Sequence, residues 1–273
     1  MIFTNEQREQ FRTEGYLAVP NFWTPIEVAA MQKELERLKA EGLLRNVATA
    51  GDGQTASPTK ANLQLCPMYP HSAFFRAMPF APKVAEAVAS LLGDGNSGDS
   101  VVLHLDQVFL KPAKHGAGTN WHQDNAYFQI PDPLKGTALW TAVHNATIAN
   151  GTLRVIPRAF DTPLPHERDG DSDHHIRCFP DESLAIPLEI VAGGALFFAY
   201  GTPHATGANT TDTERAGVAL HFIHANQSGR ARGGFETGKR PVLTGENATG
   251  GEAEYGTRIA GTWDAQVARV LAA

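Results

Sequence analysis

Cysteine is scarce in this chain: Cys66 and Cys178 are the whole complement, far apart and outside any CxxC pair. That excludes a disulfide framework and a thiolate zinc site, and it fits a reduced, cytoplasmic setting. Basic residues are also few and scattered, with 23 Lys and Arg against 29 Asp and Glu for a net charge of -6. A surface without a basic stripe is a poor match for nucleic acid or an anionic membrane. Long apolar runs are missing, and the opening residues 1–7 show neither a basic nor an apolar signal region, so a soluble, unexported protein is expected. No repeat or low-complexity array is visible, and no protein partner is evident. A small-molecule partner is the expectation that survives these absences.

What is present suits one large core. A chain of 273 residues can bury roughly three quarters of its unfolded surface without help from metal or disulfide. A single domain over 1–273 is expected, with a helical part at about 1–95, a β-rich core at about 100–225 and a tail over 226–273. Thr4 with Gln7, and Thr24 with Glu27 next to Pro25, have the spacing of capping boxes that start two amphipathic helices, the first stopped by Gly15. Residues 45–73 are rich in Ala, Thr, Gly and Pro and predict a long irregular segment bordering a binding site. Residues 81–92 read as a helix, followed by a turn at Gly93-Asp94-Gly95. Short β-like runs then cover 101–111, 121–129, 137–148, 152–157, 185–191, 194–200 and 215–224, without intervening helices. That pattern predicts an antiparallel sandwich or barrel. The polar stretch 158–183, with His166, His174 and His175, reads as a solvated loop, and 264–271 as a short terminal helix.

Two stretches carry chemistry. In Thr119-Asn120-Trp121-His122-Gln123-Asp124 an imidazole and a carboxylate stand two residues apart; on a strand they share one face and could both bind a metal. Taken alone, a His-x-Asp pair arises often by chance. The second stretch, 194–215, reads as a hairpin turning at 207–212, which would set Thr206 opposite Thr213 and His204 opposite Arg215. His204 then offers a third donor, and Thr206 with Arg215 could hold a carboxylate some ångströms from the metal. Two histidines, one carboxylate and open positions describe the facial triad of non-haem Fe(II) oxygenases. His221 and His224, farther along the same run, read as packed histidines on opposite faces.

With these residues in place the chain resembles the phytanoyl-CoA dioxygenase family of Fe(II)/2-oxoglutarate-dependent oxygenases. The likeness takes in Glu14-Gly15-Tyr16, Gln107 with Lys111-Pro112, Trp121-His122-Gln123-Asp124, Trp140, Asn150-Gly151-Thr152-Leu153 with Pro157, and the His204, Thr206, Arg215 block. It implies a mostly β fold, a double-stranded β-helix or jelly roll of the cupin-like kind with flanking N-terminal helices. It further implies Fe(II) at His122, Asp124 and His204, with 2-oxoglutarate held by Arg215 and Thr206 in a pocket lined by Gln107 and Trp140, and O2 as the third reactant. The reaction implied is hydroxylation of a C–H bond of a small metabolite, with 2-oxoglutarate decarboxylated to succinate and CO2. The chain departs from the family at Pro157-Arg158-Ala159-Phe160, where relatives often continue Pro-Gly-Ser-His, so Arg158 is a candidate substrate residue. No Lys/Arg cluster or phosphate-binding loop suggests a CoA thioester. A zinc or manganese hydrolase or isomerase could use the same three donors, and a non-catalytic jelly-roll binding protein would need none of them.

Overall fold

The computed structural model describes residues 2–94, 99–236 and 238–273. Met1 and Gly95, which figure in the signal-region and turn expectations, lie outside them. Both capping boxes form. Thr4 caps α1 (Asn5–Glu14) by accepting from the Gln7 N–H at 3.2 Å while the Gln7 side chain accepts from the Thr4 N–H at 3.0 Å. Thr24 and Glu27 do the same for α2 (Pro25–Ala40), and such a cap contributes about 1 kcal/mol. Gly15, at φ 79°, ends α1 in the left-handed conformation that glycine adopts without strain.

The remaining elements are β1 (Tyr16–Val19), β2 (Arg45–Asn46), β3 (Leu63–Leu65), α3 (Ala73–Ala77), α4 (Pro82–Leu92), β4 (Val101–Lys111), β5 (Thr119–His122) and α5 (Asn125–Phe128). There follow β6 (Gly136–Ala142), β7 (Leu153–Val155), β8 (Glu167–Arg168), β9 (Ile176–Arg177), β10 (Ile186–Leu188), β11 (Ala195–Ala199), β12 (His204–Thr206) and β13 (Arg215–His224). Three helices close the chain: α6 (Ala225–Ser228), α7 (Glu252–Tyr255) and α8 (Trp263–Ala272).

The strands form a jelly roll. One antiparallel sheet runs β1-β11-β6-β13-β4-β3-β2, the other β10-β7-β12-β5, and β8 and β9 make a separate hairpin. Side chains on a strand alternate between faces, and β4 shows the consequence. Leu105, Gln107, Phe109 and Lys111 line a cavity between the two sheets, while Val108 and Leu110 join the core under the helices with Leu139, Phe197, Val218 and Leu220. The tail helix belongs to that core. Trp263 is buried against Trp23 and Phe74, and its indole N–H donates to Glu27 at 2.7 Å.

Two expected pairings differ. Residues 121–129 are not one strand: β5 stops at His122, Asp124 has φ -57° and ψ -32°, and its carbonyl accepts from the Tyr127 and Phe128 N–H groups to start α5. Residues 194–224 are not one hairpin either. β12 pairs with β5 and β7 in the small sheet, whereas β13 pairs with β4 and β6 in the large one, so His204 opposes His122 and Arg215 opposes Lys111. The 207–214 connection crosses between sheets instead of reversing on itself. Asn209 holds it there, donating to the carbonyls of Lys111, Pro112 and Thr213.

Candidate active site

His122, Asp124 and His204 converge although strand alternation does not bring them together. The cross-strand pairing of β5 with β12 stacks the two imidazoles at a ring separation of 4.2 Å, and the helical turn at Asp124 swings its carboxylate beside both. Asp124 Oδ1 is 3.8 Å from Nε2 of His122 and 3.8 Å from Nε2 of His204. Each ring is oriented from behind. His122 Nδ1 donates to the Asn120 carbonyl at 2.9 Å and His204 Nδ1 to the Thr202 carbonyl at 3.0 Å. A carbonyl can only accept, so each Nδ1 carries the proton and each Nε2 presents a lone pair inward, the arrangement a metal-binding histidine requires. Burial holds the His122 imidazole down to about 4 and His204 well below its usual range, and it pushes the Asp124 carboxyl up to about 7. Three buried donors, two neutral and one reluctant to ionise alone, with Asp124 Oδ2 accepting no hydrogen bond, fit a divalent cation.

The other wall of the cavity is cationic. Arg215 and Lys111, neighbours across β13 and β4, are each 1% exposed. Among the described residues neither has a carboxylate in ion-pair contact. Lys111 Nζ donates instead to Thr206 Oγ1 at 2.7 Å and to the Gly207 carbonyl at 2.5 Å, and Arg215 donates to the Gly151 carbonyl while its Nε has no partner. Burial lowers Lys111 well below its usual range, with Arg215 adding to the effect, and lowers Arg215 to about 10. Two buried cations without an anion are costly, and a carboxylate-bearing ligand would relieve both. Trp140 places its ring 5.5 Å from the Arg215 guanidinium, in cation–π contact. It fits because position 217 is glycine: a Cβ there would meet the Trp140 indole at 2.3 Å.

The structure thus gathers His122, Asp124, His204, Thr206, Arg215, Gln107 and Trp140 around one cavity of about 260 Å³. It does not bring Arg158 there. That side chain is exposed and ion-paired with Glu14 at 2.6 Å, and its φ of 62° is the left-handed conformation suited to the glycine relatives often have at this place. Its expected position at the substrate boundary is not the one it occupies. The 158–183 stretch reaches the cavity by other residues, His174 and His175, the latter 7% exposed and far from a solvated loop. Its start is fastened from the residue that follows β5: the Gln123 side chain donates to the Thr162 and Gly201 carbonyls and accepts from the Leu164 N–H. The irregular 45–73 segment also reaches the cavity, through Gln64 and Cys66. Sequence reading assigned no role to Lys111, yet a lysine on the same strand face as Leu105, Gln107 and Phe109 was the available signal.

A jelly roll that presents two imidazoles and a carboxylate on one wall of its cavity, and unpaired cations on the other, defines an iron- and 2-oxoglutarate-dependent oxygenase. Residues 11–217 match the family described as Phytanoyl-CoA dioxygenase (PhyH), and the chain belongs to that family. It is 23% identical to "Phytanoyl-CoA dioxygenase domain-containing protein 1" of Danio rerio, over 83% of this chain and 92% of that protein. Among solved structures, EvdO2 from Micromonospora carbonacea var. aurantiaca complexed with 2-oxoglutarate is similar at a TM-score of 0.63 and 27% identity, covering 82% of this chain and 91% of that one. The epimerase SnoN, in complex with Fe3+, alpha ketoglutarate and nogalamycin RO, is similar at a TM-score of 0.66 and 21% identity, covering 81% and 83%. The fold is shared across relatives whose named activities differ.

Proposed function

We propose that the protein hydroxylates a C–H bond of a small, phosphate-free metabolite, converting 2-oxoglutarate to succinate and CO2 in the process. The observation that carries this reading is the pairing of the His122, Asp124, His204 cluster with the buried cations Lys111 and Arg215 in one cavity. Iron at the cluster would supply the activation of O2 that protein side chains cannot. The chain does the rest. Arg215, Lys111 and Thr206 take the distal carboxylate of 2-oxoglutarate, Trp140 covers the guanidinium, and Gln107 lines the same pocket. Leu105, Phe109, Tyr127 and Phe128 keep the space dry, and no other Lys or Arg among the described residues lines it, which leaves no cradle there for the phosphates of a CoA thioester.

Hydroxylation is favoured because a carboxylate, Asp124, stands at the third donor position, where oxygenases that transfer chloride carry a small residue. A cytoplasmic setting without macromolecular partners belongs to the same reading, supported by two free cysteines and by charge of mixed sign. The first test is anaerobic addition of Fe(II) and 2-oxoglutarate, which should give a visible charge-transfer absorption. A zinc or manganese hydrolase, or a passive binding protein, would give none. The second is turnover of small metabolites under 18O2, with label expected in both succinate and product even at high chloride. Unlabelled isomerised product would place the chain with the epimerases, and chlorinated product would overturn the assignment.

A further inference from the structure

A directed chain of hydrogen bonds ends on His221, whose remaining ring nitrogen faces the carboxylate of Asp124. It starts at Asp173, which is ion-paired with Arg45 and accepts from His174 Nδ1 at 2.6 Å. His174 Nε2 is therefore an acceptor, and it faces Gln64 Nε2 at 3.4 Å. The same Gln64 amide nitrogen donates to Gln107 Oε1 at 3.0 Å, which turns the Gln107 amide nitrogen toward His221 Nε2 at 3.1 Å. An amide NH2 can only donate. His221 Nε2 must accept, so the ring proton sits on Nδ1, and Nδ1 faces Asp124 Oδ2 at 3.7 Å. Both of these atoms are buried and have no other partner. Phe128 and Tyr200 hold the His221 ring between them at 5.3 and 5.9 Å.

The two oxygens of Asp124 thereby differ. Oδ1 faces His122 and His204; Oδ2 faces a hydrogen-bond donor that is not itself one of the three clustered ligands. We propose that His221 is a positioning residue: its Nδ1–H holds Oδ2 so that Asp124 presents only Oδ1 to the metal, and Gln107 selects the tautomer that allows it. A carboxylate free to turn could chelate with both oxygens and fill a coordination position that the co-substrate or O2 needs. His221 is the more notable because its spacing from Arg215 suggests only a packed core histidine, and Gln107 because it also lines the co-substrate pocket.

The inference rests on His122, Asp124 and His204 being the metal ligands, and the test can tell the two apart. Mn(II), which needs neither 2-oxoglutarate nor turnover, is titrated by electron paramagnetic resonance into the metal-free protein and its variants. His221→Leu removes the donor at similar volume and should weaken Mn(II) binding about 10- to 100-fold, the usual effect of losing a group that orients a ligand. His221→Asn places an amide donor close to the former Nδ1 and should recover most of that loss, with the unfolding midpoint of each apoprotein near the parent's. Gln107→Leu, which leaves His221 in place but frees its tautomer, should weaken Mn(II) in the same direction. It also reads the chain if His221→Leu does not fold. Parent-like binding by His221→Leu or Gln107→Leu, or an Asn variant as weak as the Leu variant, would overturn the positioning role while leaving the metal site standing. A parent that takes up no Mn(II), or a His204→Ala variant that binds it as the parent does, would overturn both readings.

Discussion

At the scale of single residues, what the sequence discloses depends on whether a side chain's task is local or shared. His122 and Asp124 are close in sequence, so the pair is visible at once, although the helical turn at Asp124, not strand alternation, brings them together. Lys111 and His221 are invisible as functional residues in one dimension, because each acquires its task from a neighbouring strand: Lys111 from Arg215 across the sheet and Thr206 on the facing sheet, His221 from Gln107. The triad variants His122→Ala, Asp124→Ala and His204→Ala should each abolish iron binding and succinate formation while the circular dichroism spectrum stays that of the parent, since the large apolar core does not depend on a metal. Arg215→Ala should raise the 2-oxoglutarate concentration needed for half-saturation by tens to thousands fold, about 2–5 kcal/mol, by stranding the distal carboxylate. Thr206→Ala should act in the same direction more mildly. Lys111→Met separates function from stability. A buried lysine without an anion destabilises the ligand-free protein, so the variant should unfold at a higher denaturant midpoint yet bind 2-oxoglutarate more weakly. A lower midpoint would mean that its bonds to Thr206 and Gly207 are what the fold needs from it.

At the scale of elements, local signals read well and long-range pairing poorly. Capping boxes at Thr4 and Thr24, the stop at Gly15, and the long strand β13 are set by neighbours within a few positions, and the structure has them as the sequence indicates. The crossing from β12 to β13 looks like a hairpin in sequence because the turn-rich residues 207–212 satisfy hairpin composition. Nothing local records that Asn209 ties the loop to Pro112 and that Gly207 packs on Gly151. The same close packing makes β13 testable as an element. Gly217→Ala introduces a Cβ 2.3 Å from the Trp140 ring, so the indole must leave its place against Arg215. Indole fluorescence should shift and 2-oxoglutarate affinity should fall, with Mn(II) affinity near the parent's because, among the described residues, His122 and His204 are oriented by the Asn120 and Thr202 carbonyls and not by Trp140. An unchanged co-substrate affinity would show that Trp140 is a packing residue only.

At the scale of the whole molecule, no helix among the described residues is long and apolar enough to cross a membrane, and the apolar core spans both the N-terminal helices and the C-terminal α8. One buried carboxyl couples that core to pH. Asp106, 0% exposed on β4, accepts from the Met68 N–H at 2.8 Å and so pins the segment after β3, while its Oδ2 has no partner. Burial raises its carboxyl from 3.8 to about 7, against the lowering effect of the Met68 and Tyr69 N–H groups. Between those two values the folded chain binds a proton at Asp106 that the unfolded chain has released. Stability from this group is therefore complete below about pH 4, declines as pH rises to about 7, and is flat above, with a slope of at most about 1.4 kcal/mol per pH unit. Asp106→Asn keeps an acceptor for Met68 and cannot ionise. Its denaturant midpoint should exceed the parent's at pH 8 and lose most of the advantage at pH 4, so that the difference between the two proteins, measured by urea unfolding across that range, grows with pH. A difference that is constant with pH would mean that Asp106 keeps the same protonation state in the folded and unfolded chain, and that Met68 alone accounts for its place in the core.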